Sequence, residues 1–104
     1  MSNQHLKMQE YTYKQIDLDI EKLYDRLMSD GIYLGKPITK FNFEEMATDN
    51  DYISFHIKRI YDSILQWYAD DLQEEEKDEL YNYISNKVSN LLNYDINEHR
   101  ADSI

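Results

Sequence analysis

The two glycines and the single proline of this 104-residue chain, Gly31, Gly35 and Pro37, all fall within seven positions. A sheet-rich fold needs a turn every few residues, and turns draw on glycine and proline. A chain with one such cluster must spend the rest of its length in long elements. The spacing of apolar residues says which kind. Tyr13, Ile16, Ile20, Leu23, Tyr24 and Leu27 recur at steps of three and four, the period of one helix face. Ile53, Ile57, Ile60, Tyr61, Ile64, Tyr68 and Leu72 form a second stripe, and Leu80, Tyr81, Ile84, Val88, Leu91 and Leu92 a third. The expected fold class is all-α: a small bundle of three main helices plus short helical pieces.

Capping residues suggest the boundaries. Thr12 with Gln15, and Thr48 with Asp51, have capping-box spacing. The third helix is expected to be capped near Gln73 and to run to about Tyr94. Ser29-Asp30-Gly31 reads as a stop, with Gly31 in a left-handed cap and Ile32 making the accompanying apolar contact. Residues 32–42 are too apolar for a free linker and are expected to pack across the helices. One further turn is expected at Phe43–Ala47, capped by Asn42. Residues 1–10 read as a loose arm, 11–94 as the helical domain and 95–104 as a polar tail.

Charge narrows the function. The net charge is −10, from 21 acidic and 11 basic side chains. Residues 62–104 hold eleven acids against three bases, most of them in Asp70-Asp71-Leu72-Gln73-Glu74-Glu75-Glu76-Lys77-Asp78-Glu79. Such an excess repels nucleic acids and anionic membranes and attracts basic surfaces, which are common on proteins that hold DNA or RNA. The bland reading of the decapeptide is a solvated helix start, where acids complement the helix dipole. The chain has no cysteine, so disulfides and thiol chemistry are excluded, as suits a reducing cytoplasm. No apolar run approaches the length of a bilayer span, and Met1-Ser2-Asn3-Gln4-His5 lacks an apolar signal core. The expected location is the cytoplasm, with neither a membrane nor a nucleic acid as partner.

Nothing in the sequence points to catalysis. His5, His56 and His99 lack a second ligand at metal-binding spacing, and His56 lies beside a core stripe as a structural histidine would. Glu76 and Glu79 form an ExxE, as in helical nucleotide hydrolases that hold Mg²⁺, but no ExxD follows. The expectation is a protein that is no enzyme, with no catalytic residue, no metal and no cofactor. Of the ten tyrosines, Tyr13, Tyr24, Tyr61, Tyr68 and Tyr81 fall on core stripes. Tyr33, Tyr52, Tyr83 and Tyr94 are expected at the surface, where tyrosine favours protein partners.

Three collinear stretches carry a resemblance. They are Leu23-Tyr24-Asp25-Arg26-Leu27-Met28-Ser29-Asp30-Gly31-Ile32-Tyr33-Leu34, then Asp51-Tyr52-Ile53 with Arg59-Ile60-Tyr61-Asp62-Ser63-Ile64, then Glu79-Leu80-Tyr81-Asn82. In this order, over about residues 20–90, they resemble the Ocr-type phage antirestriction proteins, helical dimers that imitate B-form DNA. The C-terminal stretch departs from that family's acidic tail, since Arg100 stands among Asp95, Glu98 and Asp102. The resemblance implies carboxylates on rigid helices standing where DNA has phosphates, blocking a host DNA-binding defence enzyme such as a restriction–modification complex. The candidate carboxylates are Asp62, Asp70, Asp71, Glu74, Glu75, Glu76, Asp78 and Glu79, a second cluster of Glu44, Glu45, Asp49 and Asp51, and Asp17, Glu21 and Asp25 on the first helix. It also implies a homodimer with Tyr24 and Met28 at the contact. The alternatives are a dedicated inhibitor or immunity protein for another partner, such as a nuclease toxin or replication factor, and a metal-dependent nucleotide hydrolase.

Overall fold

The computed structural model describes residues 2–68, 70 and 72–102, with side chains over 13–68, 70 and 72–100. The chain runs α1 (Ser2–Asp30), β1 (Ile32–Tyr33), β2 (Lys36–Pro37), α2 (Phe43–Ala47), α3 (Asn50–Trp67) and α4 (Glu74–Asp102). The fold is all-α apart from one two-residue hairpin, and that hairpin holds none of the three apolar stripes. Tyr68, just past α3, meets Asp19 of α1, and Tyr83 and Asp95 of α4 meet Asp17 and Tyr24 of α1. Rising numbers on both partners make α1 and α4 parallel, and α3 runs antiparallel to them.

The stripes meet in one core. Ile16, Ile20 and Tyr24 of α1, Ile53, Ile57, Ile60 and Ile64 of α3, and Leu80, Ile84, Val88 and Leu92 of α4 are buried together. Leu91 packs only against the edge, because the four-residue step from Val88 lands on Leu92. Phe43 and Met46 close the end of this core from α2.

Several boundaries differ from the sequence reading. Residues 2–10 belong to α1, so Thr12 lies within the helix and does not begin it. Residues 95–102 are the last two turns of α4. They pack on the body: Asp95 meets Tyr24, His99 lies against the Phe43 ring and Arg100 Nε reaches Glu44 at 3.1 Å. Asp49 caps α3 by accepting from the Tyr52 amide at 3.2 Å, while the Thr48 hydroxyl donates to the Glu44 carbonyl at the end of α2. Asn42 precedes α2 but makes no side-chain cap. Instead it ties the connection, accepting from the Thr39 amide and donating to the Pro37 carbonyl.

The glycine cluster folds as the hairpin. Tyr33 pairs with Lys36 across Leu34-Gly35, with φ of 52° and 79°. Two left-handed residues in sequence match the twist of the flanking strands. Gly35 takes this conformation freely, whereas Leu34 is strained in it. Gly31 has no positive φ; its role is space, since a Cβ there would stand 2.2 Å from the Leu27 carbonyl oxygen. Ile32 is exposed, and Tyr33 takes the buried place instead.

Candidate interaction surface

Burial sorts the fifteen proposed carboxylates into three groups. Asp25, Glu44, Glu45, Asp51, Asp62, Asp70, Glu74, Glu75, Asp78 and Glu79 are exposed. Asp17, Glu21 and Asp49 are half-buried, and Glu76 is buried. Asp71 lies outside the described residues. Three ion pairs occur among the described residues: Lys77–Glu74, Lys87–Glu21 and Arg100–Glu44. Asp25, Glu45, Asp51, Asp62, Asp70, Glu75, Asp78 and Glu79 are therefore exposed with no cation within 4.0 Å among the described residues. They gather mainly at opposite ends of α3. That helix has 18 residues, which at a rise of roughly 1.5 Å per residue separates the two groups by about 27 Å. Between them Arg26 and Arg59 flank a cleft of about 330 Å³ against Leu23, Leu27 and Ile60. The acids thus form two clusters with basic side chains between them.

Three of the proposed residues hold the fold together. Glu76 is 8% exposed, and its Oε1 accepts from the Gln73 amide at 3.2 Å, which makes it the reciprocal half of a capping box at the start of α4. It is unavailable to a partner. Asp49 is occupied by the Tyr52 amide and by the Tyr33 hydroxyl at 2.8 Å. These two donors, Tyr33 first, hold its carboxyl below the usual carboxylate range. Asp17 accepts from the Tyr83 hydroxyl.

The last two belong to a recurring device. Tyr24 donates to Asp95 at 2.5 Å, Tyr33 to Asp49, Tyr68 to Asp19 at 2.7 Å and Tyr83 to Asp17. A tyrosine ring can enter a core only if its hydroxyl finds a partner, and a carboxylate is a strong one. Each pair joins segments distant in the chain, with α1 tied to α4 twice and to the end of α3 once. Burial and then the Asp95 bond push the Tyr24 hydroxyl far above its ordinary pKa, and burial and then Asp17 do the same for Tyr83. Tyr33 is pushed up to about 12, chiefly by its bond to Asp49. These hydroxyls stay protonated, and stay donors, across the physiological range.

This device overturns two expectations. Tyr24 is 3% exposed within a single chain, so it has no surface to offer a second copy. Met28 is half-buried against the core. Tyr33 is buried as well, and Tyr52 and Tyr83 are half-buried, Tyr52 donating to the Ile32 carbonyl at 3.0 Å. Of the four tyrosines expected outside, Tyr94 is exposed. The aromatic and aliphatic surface lies elsewhere: Phe41 is 89% exposed, Leu34 74%, and Phe55 and Trp67 more than half. Sequence spacing could not reveal the tyrosine–aspartate pairs, because their partners lie 16 to 71 residues apart.

His56 sits between the rings of Tyr52 and Phe55, and burial followed by the nearby Arg59 charge lowers its pKa. The side chain of His5 lies outside the described residues. Among the described residues, no three His, Asp or Glu side chains stand close enough to hold a metal ion, and no helix is long and apolar enough to cross a membrane. Glu76 caps a helix while Glu79 is exposed beside Tyr13, and the ExxE pair is part of no metal-binding group of three among the described residues. No protein-family model, no curated protein and no solved structure matches this chain.

Proposed function

We propose that the chain is an inhibitor that presents carboxylates, in place of DNA phosphates, to the binding surface of a DNA-handling enzyme. The observation that carries this reading is the set of eight exposed carboxylates with no cation partner among the described residues, gathered mainly at the two ends of α3. The separation of about 27 Å between the two groups corresponds to about 8 base pairs of duplex, at roughly 3.4 Å each. Carboxylates on rigid helices keep their spacing when a partner approaches, so little ordering entropy is lost on binding. The likeness to the Ocr-type antirestriction proteins points to a restriction–modification complex in the cytoplasm of a phage's host. Evasion of a host defence is then the biological role. A second copy would lengthen the array. Met28 reaches a groove of about 380 Å³ beside Phe43 and Ile38, where such a contact would fit.

The test is a block variant, Asp70→Asn, Glu74→Gln, Glu75→Gln and Asp78→Asn. All four side chains are exposed, so helicity is expected to be unchanged. Inhibition of DNA binding by a restriction enzyme should weaken at least about tenfold at physiological salt, since charges acting as a group are lost together. Any one of the four changes alone should matter little. Excess duplex DNA should displace the protein. Full inhibition by the folded block variant would reduce the acidic run to a solvated helix start. A second reading would then hold: a shape-specific inhibitor or immunity protein that binds through the exposed Phe41 and the strained, exposed Leu34.

A further inference from the structure

The parallel packing of α1 and α4 brings two complementary helix faces together. On α4, Glu79, Asn82, Tyr83 and Asn86 recur at steps of three, one and three, and so share one face. On α1, Tyr13 and Asp17 lie one turn apart. Between these faces opens a cleft of about 630 Å³. The Tyr13 and Tyr83 rings form an aromatic wall, with centroids 4.7 Å apart and planes tilted by 41°. The Tyr83 hydroxyl anchors Asp17 through Oδ1 and leaves Oδ2 for another donor. Glu79 is exposed at the rim with no cation partner among the described residues.

We propose that this cleft receives an arginine side chain of the protein partner. The inference rests on the reading of the chain as an inhibitor of a DNA-binding protein, whose binding surface displays arginines. A guanidinium is planar, stacks on aromatic faces and offers five N–H donors in a rigid fork. The cleft supplies matching groups: tyrosine faces for stacking, two carboxylates from opposite walls for the fork, and two amide oxygens beside them. A metal ion suits it poorly, because it offers only two carboxylates, each already beside a tyrosine hydroxyl, Asp17 by Tyr83 and Glu79 by Tyr13. The surrounding potential also favours a cation. After burial, the charges of Glu79 and Glu76, and then a hydrogen bond to Glu79 for which a guanidinium would compete, push the Tyr13 hydroxyl up. One group opposes binding: Lys14 lines the same cleft and competes for its carboxylates.

The experiment titrates N-acetyl-arginine amide into the full chain and follows the ring resonances of Tyr13 and Tyr83 by NMR. The citrulline amide, a neutral analogue of the same shape, is the control. Saturable shifts confined to these rings are expected for arginine and not for citrulline. Glu79→Gln, an exposed change that leaves the core alone, should weaken binding about fivefold, and Lys14→Ala should tighten it. Equal shifts with citrulline, or shifts spread over the acidic surface without saturation, would overturn the proposal. The probe needs no partner enzyme, so the two proposals fail separately. If the block variant keeps full inhibition while arginine still binds, mimicry falls and the cleft stands. If inhibition is lost as expected but arginine does not bind, the cleft alone falls.

Discussion

Tyr24→Phe removes one oxygen atom from the middle of the molecule and tests whether tyrosine–aspartate pairs hold the bundle together. The ring stays, so apolar burial is nearly unchanged, and the variant isolates the hydroxyl that donates to Asp95 at 2.5 Å. A hydrogen bond to a charged acceptor contributes about 1.5–3 kcal/mol. Asp95 is half-buried and can recover part of that from water, which brings the expected cost to about 1–2 kcal/mol. For a domain of this size, that is a fall in Tm of about 5–10 °C. Asp95→Asn keeps an acceptor but loses the charge, so it should cost less alone. The double variant should show a coupling of about 1 kcal/mol in urea unfolding. Because Tyr24 is enclosed within one chain, sedimentation of Tyr24→Phe should match that of the parent protein at micromolar concentration. Unchanged stability, or additive single and double variants, would refute the argument. A changed oligomeric state would return Tyr24 to an interface between copies.

Two further outcomes follow from residues that charge alone had placed on the interaction surface. Glu76→Ala should lower stability by about 1 kcal/mol through loss of the α4 cap, whereas Glu76→Gln should keep most of it, and both should inhibit as well as the parent; a loss of inhibition by a folded Glu76→Gln would put this residue back at the interface. Asp49 has a folded-state pKa below its unfolded value of 3.8, so its contribution to stability is full above about pH 4 and is lost as the pH falls through the lower, folded value. Melting temperatures measured from pH 6 down to pH 2 should therefore fall less steeply for Asp49→Asn than for the parent protein, and parallel curves would contradict the assignment.

The sequence by itself determined the class of fold. Helical periodicity is a local property, set by which side chains lie one turn apart, and it identified the buried residues Ile53, Ile57, Ile60, Ile64, Leu80, Ile84 and Val88 with no knowledge of their partners. The turn at Gly35 and the short helix at Phe43–Ala47 were legible for the same reason. Where α4 ends was not, because its polar last turns are held by what they pack against, as Asp95, His99 and Arg100 are. Composition likewise announced an acidic surface but could not sort its members. Glu76 and Glu79 stand three residues apart in the same acidic run, yet one folds back onto an amide and the other faces water. Asp17, Asp19, Asp49 and Asp95 became structural acceptors only when helix packing brought a tyrosine hydroxyl to each. A charge is written in the chain, but whether it meets solvent, a cap or a buried hydroxyl depends on residues up to 71 positions away, and only the tertiary structure decides that.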